Sequence, residues 1–104
     1  MTEFINAINQ RDFKSIKEIV QKGLNLNKPL ENNDLPLWLT SRSLDFEVVK
    51  LLIDLGANPE TRIRGGQNFY DIVVTDNEVG MSKPSQEAQF FIYRTKNYYK
   101  KKTT

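Results

Sequence analysis

The chain contains no cysteine and no histidine. Without cysteine there is no disulfide to staple a small fold and no thiolate to hold a zinc ion. Without histidine the commonest general base and the commonest metal ligand are missing together. Ser41 and Ser43 therefore have no imidazole to activate them. Glycine is scarce, and Gly65-Gly66 is not followed by the Lys-Ser/Thr of a phosphate-binding loop. No apolar run approaches the roughly 18 residues that a membrane span needs. The opening MTEFINAINQRDF mixes polar and apolar residues with an early acid, unlike a secretory signal. These gaps argue against catalysis, a metal, a cofactor, a small-molecule substrate and a membrane. The expectation is a single cytoplasmic domain over residues 1–104.

Charge is short on one side at the C-terminal end. Residues 1–93 hold ten Lys/Arg against thirteen Asp/Glu, whereas residues 94–104 hold five Lys/Arg and no acid. The basic character belongs to a tail rather than to a face of the body.

What is present is helical periodicity. Asp45 caps a helix in which Phe46, Val49, Leu52 and Ile53 recur at helical spacing, with Val48, Leu51 and Leu55 widening the apolar stripe. Gly56 supplies a left-handed stop and Pro59 prevents resumption. Pro36 suits the first turn of a short helix that runs to about Thr40. A helix apolar over so much of its surface needs neighbours on more than one side.

Those neighbours lie thirty-three residues away. Lys17 to Asn25 (KEIVQKGLN) aligns without a gap under Lys50 to Asn58 (KLLIDLGAN), and Asp12, Phe13, Ile16 and Gly23 fall under Asp45, Phe46, Val49 and Gly56. The same step brings Asn68-Phe69-Tyr70-Asp71-Ile72 under Leu35-Pro36-Leu37-Trp38-Leu39. A period of this length is the mark of a repeat array. The chain resembles the ankyrin repeat family in Leu35-Pro36-Leu37-Trp38, in Glu47-Val48-Val49-Lys50-Leu51-Leu52 and in Gly56-Ala57-Asn58-Pro59. The likeness covers about three quarters of the sequence and loosens after Thr75.

The resemblance implies an all-α solenoid of three helix-turn-helix units, at about residues 1–27, 28–60 and 61–100, followed by a basic tail at 100–104. The first unit should be polar on its outer side, as an end unit requires. Leu44 stands where the family favours glycine, and Asn33 replaces another. The third unit is atypical: Thr75 to Lys83 is too long for the usual turn. Beyond Pro84, the spacing of Ala88, Phe91, Ile92, Thr95, Tyr98 and Tyr99 predicts one long capping helix from about Ser85 to Lys100, fraying after Tyr99.

The resemblance further implies a protein-interaction module that docks one partner protein on its concave face and finger loops. Short ankyrin proteins of bacteria include immunity proteins that neutralise toxins, so an inhibitor of that kind is one form this module would take. The residues placed on that side are Glu31, Asn32 and Asp34 in the first finger, Trp38, Arg42 and Ser43 in the middle unit, and Arg62, Arg64 and Gln67 in the second finger. Trp38 has two readings, a core aromatic between helix layers or an anchor on the concave face. Asp71 is expected to bond backbone N–H groups of the finger or helix start. A second class of function uses the tail: Arg94, Lys96, Tyr98, Lys100, Lys101 and Lys102 mix cations with aromatics, as a non-specific nucleic-acid binder does. The plainer reading of the same residues is a capping helix whose lysines suit its C-terminal dipole.

Overall fold

The computed structural model describes residues 2–63, 65–81 and 83–103. Helices make up 57% of it, joined by a small two-stranded ribbon. Five α-helices occur in the order α1 (Thr2–Asn9), α2 (Phe13–Gln21), α3 (Phe46–Asp54), α4 (Phe69–Asp76) and α5 (Gln86–Thr103). A 3-10 helix at Pro36–Thr40 precedes α3. The ribbon, β1 (Glu78–Gly80) against β2 (Lys83–Pro84), is antiparallel and joins α4 to α5.

The period in the sequence reappears as a period in the backbone. Asp12 caps α2 by accepting from the Ser15 N–H, and Asp45 caps α3 by accepting from the Val48 N–H. The residues just before these caps are both left-handed, Arg11 at φ 55° and Leu44 at φ 54°. Gly23 and Gly56 end the two helices at φ 120° and 112°, and their N–H groups donate to Val20 O and Ile53 O at the same 3.0 Å. Asn25 and Asn58 then form matching turns, accepting from the backbone N–H two residues on at 2.8 Å in both cases. Each feature recurs thirty-three residues later because each is set by side chains within a turn of itself.

The short helices pack at the same step. α1 packs on the 3-10 helix, the 3-10 helix on α4, and α3 on α5. Arg11 reaches Asp45 with Nε at 2.6 Å, tying the turn before α2 to the cap of α3. Asn27 bridges the lower loops: its amide donates to Gly56 O at 3.0 Å, and its oxygen accepts from the Asn58 N–H at 2.8 Å. The core runs through all of these elements, with Phe4, Ile16, Val49, Leu52, Phe69, Val73 and Ala88 enclosed. α2 is less covered than α3, since it buries Ile16 alone while α3 buries Val48, Val49, Leu52 and Ile53.

Three local features differ from the sequence reading. The helix at Pro36–Thr40 is 3-10, with Trp38 N–H on Leu35 O and Ser41 N–H on Trp38 O, and the Thr40 hydroxyl taking Leu37 O at 2.7 Å. The stretch after Thr75 is not only loop, because it holds the β1–β2 ribbon. α5 does not fray after Tyr99 but continues to Thr103. Its last turns are held from outside the helix, by Lys102 Nζ at 3.0 Å from Asp54 on α3.

Candidate functional site

The surface between the 3-10 helix and α4 is a groove of about 470 Å³, walled by Trp38, Leu39, Arg42, Gln67, Ile72 and Asp76, with Asp34 and Ser41 also lining it. Grooves of similar size lie elsewhere, at the α1–α2 end and beside Tyr70 and Tyr99. Volume alone does not distinguish them. Chemistry does, because this one joins a half-buried tryptophan, an exposed arginine and two carboxylates from three different segments.

Trp38 lies between the two placements expected of it. Its ring packs against the core and also lines the groove. Its Nε1 is shielded and has no acceptor among the described residues. A buried donor without a partner is uncommon and costs stability, so it is a feature to be accounted for. Asp76 at the end of α4 accepts a hydrogen bond from the buried Ser41 hydroxyl. Arg42 lies 3.9 Å from the other oxygen of Asp76 with its side chain 82% exposed. At that distance and exposure the pair is loose, and the guanidinium stays accessible to solvent. Asn77 fixes the base of the groove by donating to Ser41 O at 2.7 Å and to Val73 O at 2.8 Å.

Not every residue assigned to this side belongs to the groove. Asp34, Trp38, Arg42 and Gln67 come together there. Glu31 is exposed in the first finger, where Asn32 forms a turn by accepting from the Asp34 N–H at 3.1 Å. Ser43 donates to Thr40 O at 3.3 Å and lines a separate recess beside Arg11 and Asp45. Arg62 turns inward along its own finger, with Nη1 donating to Gly66 O at 2.7 Å and lying 3.2 Å from Asp71. Arg64 lies outside the described residues. Asp71 completes a reciprocal cap with Asn68 at the start of α4, the backbone role expected of it.

Ser41, Leu39, Ile72 and Asp76 were not singled out by the sequence. The signal for Asp76 is weak because the thirty-three-residue alignment loosens after Thr75, so no aligned neighbour points to it.

The basic helix end is engaged with the body. Tyr98 OH and Lys102 Nζ both donate to Asp54 Oδ1. Burial works to raise the Asp54 carboxyl, but the Tyr98 hydroxyl and Lys102 ammonium outweigh it and hold it below its ordinary value. The same hydrogen bonds raise Tyr98 and Lys102 above theirs. Arg94 lies over the Phe46 ring at 4.0 Å, and Lys96 over the Tyr70 ring at 5.1 Å. Lys100 and Lys101 are exposed and make contacts within the chain as well. Four of the six residues considered for nucleic acid thus act in attaching α5.

Among the described residues no cluster of three or more acidic, histidine or cysteine side chains is placed to hold a metal ion. Nor is any described helix long and apolar enough to cross a membrane. No family model, curated protein or solved structure matches the chain.

Proposed function

We propose that the chain is a small ankyrin-type array of three helix-turn-helix units that binds one partner protein through the groove between the 3-10 helix and α4. The observation that carries this reading is that Trp38, a part-buried ring lining the groove with a shielded and unpartnered indole N–H, lies in the same groove as Arg42, exposed and only loosely held by Asp76. An aromatic anchor beside a displaceable cation is the composition that dominates interface energy. The recurrence of caps, left-handed residues and turns at a thirty-three-residue step supports the array. A rigid array loses little ordering entropy on docking, which favours binding over chemistry for a chain without histidine or cysteine. An inhibitor of the immunity type, neutralising one bound protein, is the form of this function that the resemblance implies.

The test compares affinity capture by the parent protein with capture by three variants from the same source extract, followed by titration of the captured protein. Trp38→Ala and Arg42→Glu are each expected to weaken binding by about 1–2 kcal/mol, or roughly tenfold. Lys17→Glu, on the far side of α2, should leave it unchanged. Silent groove variants with loss of binding in Lys17→Glu would assign the docking face to the outer helices instead. Salt-sensitive retention on DNA that disappears on removal of residues 94–104 would favour the tail.

A further inference from the structure

We infer that the outward face of α5 is a self-association surface, on which two copies of this chain pair antiparallel about a two-fold axis near Phe90 and Tyr93.

An end unit of a repeat array ordinarily shows water a polar outer face. The N-terminal end obeys this, with Glu3, Asn6, Gln10, Lys14, Lys17, Glu18 and Lys22 exposed along α1 and α2. The C-terminal end does not. Among the described residues, the large apolar side chains left exposed are Val79, Met81, Phe90 and Tyr93, all in this last unit. Phe90 and Tyr93 are 59% and 63% exposed.

Their placement on the helix is specific. Ala88, Phe91 and Thr95 mark the buried side of α5. At about 100° per residue, Phe90 and Tyr93 straddle the line directly opposite, with Gln86 and Asn97 above and below them. The centre of that stripe is apolar and its two ends are neutral and polar. A second copy laid antiparallel on it would set Phe90 against Tyr93 and Gln86 against Asn97, twice over. Such a patch is complementary to itself, as an isologous contact requires.

Charge supports this occupant over others. Glu87 and Arg94 lie on one flank of the stripe, seven residues apart and on nearly the same line. Antiparallel pairing about the aromatic centre brings each copy's Arg94 next to Glu87 of the other copy. On the opposite flank Lys96 meets the neutral Gln89. Lys83 and Lys100 approach at the two ends, but both are exposed, where solvent and salt screen the repulsion. Arg94 is also held in position, over Phe46 at 4.0 Å and over Phe90 at 5.5 Å, so little side-chain freedom remains to be lost. Four part-exposed rings and their flanks make an interface at the small end of the specific range, below roughly 1,200 Å² in total. The dimer should therefore be weak and dependent on concentration.

Sedimentation of the full chain from low micromolar to about millimolar concentration tests this. The parent should pass from monomer to dimer, and Phe90→Ser with Tyr93→Ser should stay monomeric with unchanged helix content. Glu87→Arg and Arg94→Glu should each weaken association at least tenfold, and an equimolar mixture of the two should recover it as a heterodimer. Should Arg94→Glu lose helix content, the Glu87 position decides, with Glu87→Gln beside Glu87→Arg because Glu87 is the acid of the first turn of α5. A parent that is monomeric throughout overturns the inference, whether or not it binds anionic lipid vesicles or an acidic protein. So does a dimer that survives loss of both aromatics, or a Glu87→Arg variant that associates like the parent.

Discussion

Leu52 and Ile19 occupy the same position of the thirty-three-residue step, one in α3 and the other in α2. Their surroundings differ: Leu52 is wholly enclosed, whereas Ile19 is half-buried and lines the groove at the α1–α2 end. Substituting each by alanine therefore separates what a position contributes by itself from what covering on both sides adds. Leu52→Ala removes three buried carbons and leaves a closed cavity, so it should cost about 2–5 kcal/mol. Ile19→Ala forfeits only part of the transfer term and leaves no closed cavity, so about 1–2 kcal/mol is expected. For a chain of this size each kcal/mol lowers the melting temperature by about 4–8 °C, so a Leu52→Ala loss of about 3 kcal/mol is a fall of about 12–24 °C. Urea and thermal unfolding followed by circular dichroism would measure both, with the urea slope checked for constancy. Equal losses at the two positions would refute the argument that α3 is the centrally covered helix. So would a Leu52→Ala protein melting within a degree or two of the parent.

Trp38→Phe removes the unpartnered indole donor, whose burial costs about 1–3 kcal/mol, so the melting temperature should hold or rise while partner binding weakens. A fall in stability of more than about 2 kcal/mol would show that the indole ring acts as core. Gly56→Ala and Gly23→Ala meet no atom within 4 Å, so their whole cost is backbone strain at φ 112° and 120°. They should lose about 1–2 kcal/mol each and by similar amounts in chemical denaturation, unlike the pair above. Asp54 and Asp12 are both held below their ordinary 3.8, so their contribution is complete above that value and is lost as pH falls through the lower folded values. Tyr98 and Lys102 are raised from 10.0 and 10.5, so their contribution is complete below those values and is lost as pH rises through the raised ones. Asp54→Asn should therefore flatten both the acid and the alkaline shoulder of a melting-temperature profile. An unchanged profile would mean that the Tyr98–Asp54–Lys102 contact does not form in solution.

Much of the fold was legible in the residues alone, and the reason is range. The caps at Asp12 and Asp45, the stops at Gly23 and Gly56 and the Asn68–Asp71 cap each involve groups within about one helical turn. A local pattern therefore determines them, and its repetition determines the thirty-three-residue step. Tertiary structure alone decided the groove. Ser41 meets Asp76 from thirty-five residues away, and Tyr98 meets Asp54 from forty-four, pairings set by which helix packs on which. The same holds for the end of α5, which runs past Tyr99 to Thr103 with Lys102 beside Asp54 of α3. Arg62 looked available from its place in a finger, but the finger closes on itself and brings Asp71 and the Gly66 carbonyl within its reach. Charge and spacing say which groups can interact; only the packed chain says which of them already do.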